Sequence, residues 1–223
     1  MKDCPSFVWL HGFASSPGSS KARFVRQALA RRGAWLQIPD LNLPEFRTLT
    51  IGRGLALVDA LAAQSPTGDL VLFGSSLGGI TAAIWAAQNP QRCRRLVLLA
   101  PAFCLARRWD ESLDRADVER WKREGQIEVD HYAWGQKLPL ARAFLDEAAR
   151  YDDFPLPGAP TLVLQGKDDR TVPPELAREF AARMAAAHKP VRLVELDDGH
   201  ELNRDLPRLW AEMASHLDDI LIG

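Results

Sequence analysis

Cysteine is scarce in this chain. Only Cys4, Cys93 and Cys104 occur among 223 residues, with no C-x-x-C, which suits a reducing compartment better than a disulfide framework and leaves all three as packing residues. An excess of charge of one sign is missing too. The 28 basic and 29 acidic residues leave a net charge of -1, and pairs such as Arg31-Arg32, Arg94-Arg95 and Arg107-Arg108 are dispersed, so nothing marks a surface for nucleic acid or an anionic membrane. Long hydrophobic runs are absent. The N-terminal apolar stretch, Phe7 to Leu10, is too short for a signal sequence and far too short for a membrane span. The expectation is a soluble, cytoplasmic protein. No repeat or low-complexity tract is visible.

What is present is a regular alternation. At 47% hydrophobic, the chain can bury a substantial core as a single domain over residues 1–223. Short β-type runs at Phe7 to Leu10, Ala34 to Ile38, Leu70 to Phe73, Leu96 to Leu99, Thr161 to Leu164 and Val191 to Leu196 are nearly continuous in apolar residues, as strands covered on both faces are. Helix-period patterns separate them, such as Ile51, Leu55, Val58, Leu61 and, near the C-terminus, Leu206, Leu209, Trp210, Met213, Leu217, Ile220. This predicts an α/β fold: about six mainly parallel strands between helical layers.

One segment breaks the rhythm. Between Ala100 and Thr161 lies a charged stretch that includes Trp109, Trp121, Tyr132, Trp134, Phe144, Tyr151 and Phe154, with mostly helical patterning. Residues 104–157 read as an insertion over the sheet's C-terminal edge. Its aromatics either hold a satellite layer to the core or line a substrate pocket, and the two roles are compatible.

The chemistry centres on Gly74-Ser75-Ser76-Leu77-Gly78. This G-x-S-x-G pentapeptide follows a strand signal and opens a helix signal, the setting a nucleophile elbow requires. A serine hydroxyl is a poor nucleophile at neutral pH and needs exposure, a base, and donors for the oxyanion formed on attack. The sharp turn exposes Ser76, and the helix aims its free N-H groups at the site. Leu77 N-H is one candidate oxyanion donor. The other is Phe13 N-H, in the His11-Gly12-Phe13 turn that directly follows the first strand signal.

Of five histidines, His200 alone stands in the loop beyond the last strand signal, at the sheet edge where ligands collect. His216 belongs to the terminal helix, His188 to a connection at the opposite edge, His131 to the insertion, and His11, upstream of the serine, has the wrong order for a base and takes a local structural role. His200-Glu201 could begin a zincin helix, but Arg204 stands where H-E-x-x-H needs its second histidine, so no metal is expected. The acid should lie between serine and histidine at a strand end. Asp168 and Asp169 compete there, and Asp169 is preferred because it stands three residues after Gly166 with Val172-Pro173 returning the chain to the next helix.

Taken together, these residues resemble a serine hydrolase of the α/β-hydrolase fold, a three-layer αβα sandwich, over nearly the whole chain. More narrowly, Leu10-His11-Gly12-Phe13-Ala14-Ser15-Ser16-Pro17, then Ser20-Lys21-Ala22 and Gly74 to Gly79, are similar to YqiA-type bacterial esterases. The latter half also resembles the small mammalian acyl-glucuronide and thioester hydrolase of this fold. The resemblance implies Ser76, Asp169 and His200 as nucleophile, acid and base, with Phe13 and Leu77 as backbone donors. It also implies that the chain begins at the fold's third strand. Gln165 stands where many relatives have histidine; outside the triad, it has no part in the chemistry on this reading.

The function expected is cofactor-independent hydrolysis of small to medium acyl or aryl esters. Thioesterase, C-C bond hydrolase and aminopeptidase activities use the same residues, and a non-catalytic binding protein could keep the fold. A dehalogenase would need aspartate at position 76.

Overall fold

All six apolar runs become strands of one sheet. The computed structural model describes residues 5–221. In chain order the sheet strands are β1 (Ser6–Leu10), β2 (Leu36–Gln37), β3 (Leu70–Ser75), β4 (Cys93–Leu99), β7 (Thr161–Gly166) and β8 (Val191–Leu196), arranged β2-β1-β3-β4-β7-β8 with every pairing parallel. The central strands explain their own sequences. Leu70 to Phe73 and Leu162 to Leu164 are fully buried because helices cover both sheet faces, leaving no face for polar side chains. The edge run at Ala34 to Ile38 pairs over only two residues, and a short edge offers little for another chain to extend.

Side chains alternate between two buried layers. Phe7, Trp9, Val71, Phe73, Val97, Leu162 and Leu164 pack under α1 (Ser20–Ala30) and α8 (Leu206–Leu221). Val8, Leu10, Leu72, Leu96, Leu98 and Val163 face α2 (Ile51–Gln64), α3 (Leu77–Gln88) and α7 (Pro174–Ala186). The three-layer αβα sandwich anticipated from the sequence is therefore the architecture. The chain steps outward from β1 to β2 and then returns to β3 on the other side of β1, so the order reverses between β1 and β3. At such a reversal the loops beyond the two strands diverge and leave a crevice.

Between β4 and β7 the chain forms α4 (Leu105–Ser112), α5 (Arg115–Glu124), β5 (Gln126–His131), β6 (Gln136–Ala141) and α6 (Ala143–Ala148). Helix predominates, but the antiparallel β5-β6 hairpin was not anticipated. Its cue is a short alternation: Ile127 and Val129 pack against the core while Gln126, Glu128 and Asp130 are exposed. His131 closes the strand, buried against Trp134 with ring centroids 4.0 Å apart.

Cys93 and Cys104 are buried and unpaired, and Cys4 lies outside the described residues. Among the described residues no helix is long and apolar enough to cross a membrane.

His216 on α8 makes stability pH-dependent. Burial, reinforced by Arg95 and Arg192, pushes its imidazole down to about 4, whereas an unfolded histidine titrates near its ordinary value of about 6.5. Between those values the unfolded chain binds the extra proton, so stability falls as pH drops through that window. The Tm of the wild-type chain is expected to decline from pH 7 to pH 4.5 more steeply than that of His216→Gln. Equal slopes in thermal unfolding would place the acid sensitivity elsewhere.

Candidate active site

β1 and β3 run side by side with Leu10 opposite Gly74, so the turns that leave their carboxyl ends are neighbours. The elbow after β3 is tight. A Cβ on Gly74 would stand 2.7 Å from Gly79 Cα and nearer still to the Gly78 carbonyl. A Cβ on Gly78 would stand 2.7 Å from the His11 carbonyl oxygen and closer yet to that of Leu10. Real Cβ atoms do not pack so closely against backbone, which is why glycine occupies both positions.

Between them Ser76 adopts φ 51° and ψ −113°, a left-handed backbone that a residue other than glycine holds at a cost of about 1–3 kcal/mol. Ser76 is also the N-cap of α3, where a serine usually turns its hydroxyl onto the helix N-H groups. Here it makes no such bond. Its Oγ lies instead 3.1 Å from His200 Nε2. As the first helical residue, Leu77 has no intrahelical acceptor for its N-H. Gly12 brings the preceding turn alongside, since a Cβ there would lie 3.4 Å from Ser76 Cβ.

His200 Nδ1 lies 2.8 Å from Asp169 Oδ2. Asp169 is 4% exposed and surrounded by donors. Its Oδ1 accepts from the Thr171 and Val172 N-H groups at 2.9 and 2.8 Å, and its Oδ2 accepts from Gln165 Nε2 at 2.9 Å. Burial works to raise the Asp169 carboxyl, but the hydrogen bonds from His200, Val172 and Gln165 outweigh it and hold the group below the usual carboxylate range. Asp168 points outward, its side chain 70% exposed and 3.8 Å from Arg204 Nη1.

His11 is buried, and its ring nitrogens bond to backbone groups rather than to Ser76. Its Nε2 accepts from Leu41 N-H at 3.0 Å, so its Nδ1 is the nitrogen that donates, to the Gly12 carbonyl at 2.8 Å. That assignment makes His11 a clamp on the turn bearing Phe13. His188 and His216 lie outside the crevice. Among the described residues no group of histidine, cysteine and carboxylate side chains is arranged to hold a metal ion.

Ser76, Leu77, His200, Gly12 and Phe13 line a cavity of about 780 Å³. Leu105, Trp109, Leu113, Ile127 and Val129, all from the β4-β7 connection, line it as well, interleaved with the charged Arg108, Asp117, Arg120, Glu128 and Asp130 of the same connection. Phe13 links the Ser76 neighbourhood to the connection: its ring meets Trp109 edge-on at 4.8 Å and packs on Phe46 and Phe144 at 5.2 and 5.7 Å. Of the connection's other aromatics, Trp121, Phe144 and Phe154 are buried, and Tyr132 is 80% exposed at the cavity mouth.

The sequence reading assigned Gln165 no part, yet its amide is buried against the Asp169 carboxylate. Asp198, too close in sequence to His200 to serve as its acid, acts on the loop instead. Its carboxylate accepts from the Gly199 and Arg204 N-H groups at 2.7 and 2.8 Å and so shapes the loop on which His200 rides. Gly166 lets that loop approach, because a Cβ there would lie within 2.5 Å of the Asp198 carbonyl oxygen.

The sheet order and the elbow define an α/β-hydrolase fold, and solved structures agree. Alpha/beta hydrolase domain-containing protein 10 from mouse superposes with a TM-score of 0.78 at 20% identity, over 97% of this chain and 90% of that one. Est1E from Butyrivibrio proteoclasticus gives 0.77 at 20% identity, over 100% and 90%. The chain belongs to the uncharacterised protein family UPF0227, whose model matches residues 6–214. It is also similar to the pimeloyl-[acyl-carrier protein] methyl ester esterase of Chromobacterium violaceum, with 34% identity over 122 residues, 52% of this chain and 45% of that protein. The chain spans about half the length of the curated relatives it matches.

Gly78→Ala tests the tightness of the elbow. The added methyl meets carbonyl oxygens that cannot rotate away. A cost of about 1–3 kcal/mol corresponds, at this chain length, to a Tm lowered by several degrees. An unchanged Tm in thermal unfolding would mean that β1 and the elbow pack more loosely than described.

Proposed function

We propose that the chain is a serine carboxylesterase acting on small to medium acyl or aryl esters. The observation that carries the proposal is the uninterrupted line from Ser76 Oγ through His200, at 3.1 and 2.8 Å, to a buried carboxylate, laid along the wall of a cavity. In this reading His200 Nε2 takes the serine proton as Oγ attacks the acyl carbon. Asp169, ionised at neutral pH because its donors hold it low, fixes Nδ1 as the protonated nitrogen and stabilises the imidazolium. The N-H groups of Phe13 and Leu77 hold the developing oxyanion. His200 then protonates the leaving alcohol, and the acyl group remains on Ser76. Water, deprotonated by the same imidazole, releases the acid and restores the serine. Those side chains and water suffice for both half-reactions.

The apolar part of the lining favours an apolar acyl or aryl group, since Leu105, Trp109, Leu113, Ile127 and Val129 are withdrawn from water when it is filled, while Arg108, Asp117, Arg120, Glu128 and Asp130 leave room for a polar leaving group. Residues 104–157 act, on this proposal, as a cap on a single domain spanning 1–223. The similarity to a methyl ester esterase supports the ester over other acyl derivatives. Unpaired, buried Cys93 and Cys104 suit the cytoplasm.

A fluorophosphonate probe is expected to label the wild-type chain and not Ser76→Ala. Labelling that persists in the variant, or none in the wild type, would defeat the proposal. On p-nitrophenyl esters, Asp169→Asn is expected to lose about 10⁴-fold in kcat, with Asp168→Asn near wild type. A greater loss at Asp168 would reverse the assignment of the acid. Higher kcat/KM for acyl thioesters than for matched oxygen esters would make the chain a thioesterase instead.

A further inference from the structure

Lys21 breaks two local rules at once. It lies in the first turn of α1, where the helix dipole disfavours a cation, and it is only 6% exposed. Burying an ammonium is costly unless partners replace its water. Burial lowers the Lys21 pKa, with Glu201 and Asp198 opposing that shift. Such inconsistencies concentrate where function requires them.

The partners all belong to one loop. Lys21 Nζ donates to the main-chain carbonyl of Glu201, the residue after His200, and lies 3.7 Å from the Glu201 carboxylate. Ser20 Oγ donates to Asn203 Oδ1 at 3.1 Å. On the far side of His200, Asp198 holds the Gly199 and Arg204 N-H groups. The loop therefore has a local frame of its own, but the bonds from Ser20 and Lys21 cross from the segment following β1. That is the segment that also carries Gly12 and Phe13 beside Ser76. A main-chain carbonyl is fixed in the loop, so a donor there sets where the loop lies rather than how one side chain turns.

We propose that Lys21 is a positioning residue: by donating to the Glu201 carbonyl it holds the His200 loop at the distance from β1 that places His200 Nε2 on Ser76 Oγ. This rests on the hydrolase reading above. Lys21 lines the same cavity as Ser76 and His200 but bonds to Glu201, and the ammonium serves as a strut between two loops of the same crevice. A misplacement of His200 of the order of 1 Å is enough to slow the chemical step by about 100-fold.

Lys21→Met keeps the length of the stem and removes the donor. Removing the ammonium alone leaves the Glu201 carbonyl without this donor, which costs stability, so the fold is monitored separately by Tm. The expected result is a cooperative unfolding transition with a lowered Tm that still leaves the variant folded at assay temperature, fluorophosphonate labelling of Ser76 slowed between about 10-fold and 100-fold, kcat on p-nitrophenyl esters reduced by a similar factor, and KM within about twofold. Lys21→Arg, which retains a cationic donor, is expected to recover part of the rate. In proton NMR the His200 ring N-H resonance, identified by its loss in His200→Ala, is expected in the wild type and broadened by exchange with water in Lys21→Met.

Wild-type labelling and an unchanged His200 resonance in Lys21→Met would overturn the proposal. So would a rise in KM with kcat preserved, which would make Lys21 a substrate-binding group. If Lys21→Met does not fold, Lys21→Gln takes its place; failure of both to fold would mean that the ammonium serves folding, and overturns it too. Should the wild type itself resist labelling, the esterase reading fails, while the comparison of His200 resonances still decides whether Lys21 holds the loop.

Discussion

The parallel pairing of β1 with β3 governs this molecule. It places Leu10 opposite Gly74, and only a glycine at 78 allows the elbow to seat against the Leu10 and His11 carbonyls. From that contact follow the left-handed backbone of Ser76, the direction of α3 and the proximity of the Gly12-Phe13 turn. The reversal of strand order between the same two strands opens the crevice in which these groups meet. Strain at Ser76 is tolerable because the surrounding apolar layers over-determine its position: ten residues of α3 are buried.

Asp169 shows how a charge is kept inside. Four donors converge on its two oxygens, two from the backbone of the following turn and two from side chains on β7 and the His200 loop. Charge-assisted hydrogen bonds of this kind offset desolvation that an unpaired carboxylate could not withstand. Gln165 has a second effect. By occupying Oδ2 alongside His200 Nδ1, it limits how the carboxylate can rotate, and the imidazole inherits that limit.

Much of this was legible in the sequence, for identifiable reasons. Strands covered on both faces have to be apolar throughout, so Leu70 to Phe73 and Thr161 to Leu164 announced a buried parallel sheet. The elbow glycines and the acid-bearing turn are local in sequence and could be read locally. The β5-β6 hairpin was missed because its alternation spans six residues per strand among many charges, a pattern that helical spacing also accommodates. Gln165 and Lys21 were opaque for another reason. Whether a long polar side chain is buried depends on neighbours far along the chain, as when Lys21 meets Glu201 across 180 positions. Nothing adjacent to either residue encodes that meeting.

Phe13 has two allegiances. Its peptide neighbour Gly12 sits beside Ser76, while its ring is wedged among Trp109, Phe46 and Phe144. The wall that would choose the acyl group thus shares an aromatic joint with the machinery that would process it. Selectivity and turnover are then mechanically linked: recarving the pocket at Trp109 would disturb the anchoring of the neighbouring peptide unit as well as the shape of the void. Divergence toward new substrates would have to proceed through paired changes, one enlarging the chamber and another restoring the seat of that ring.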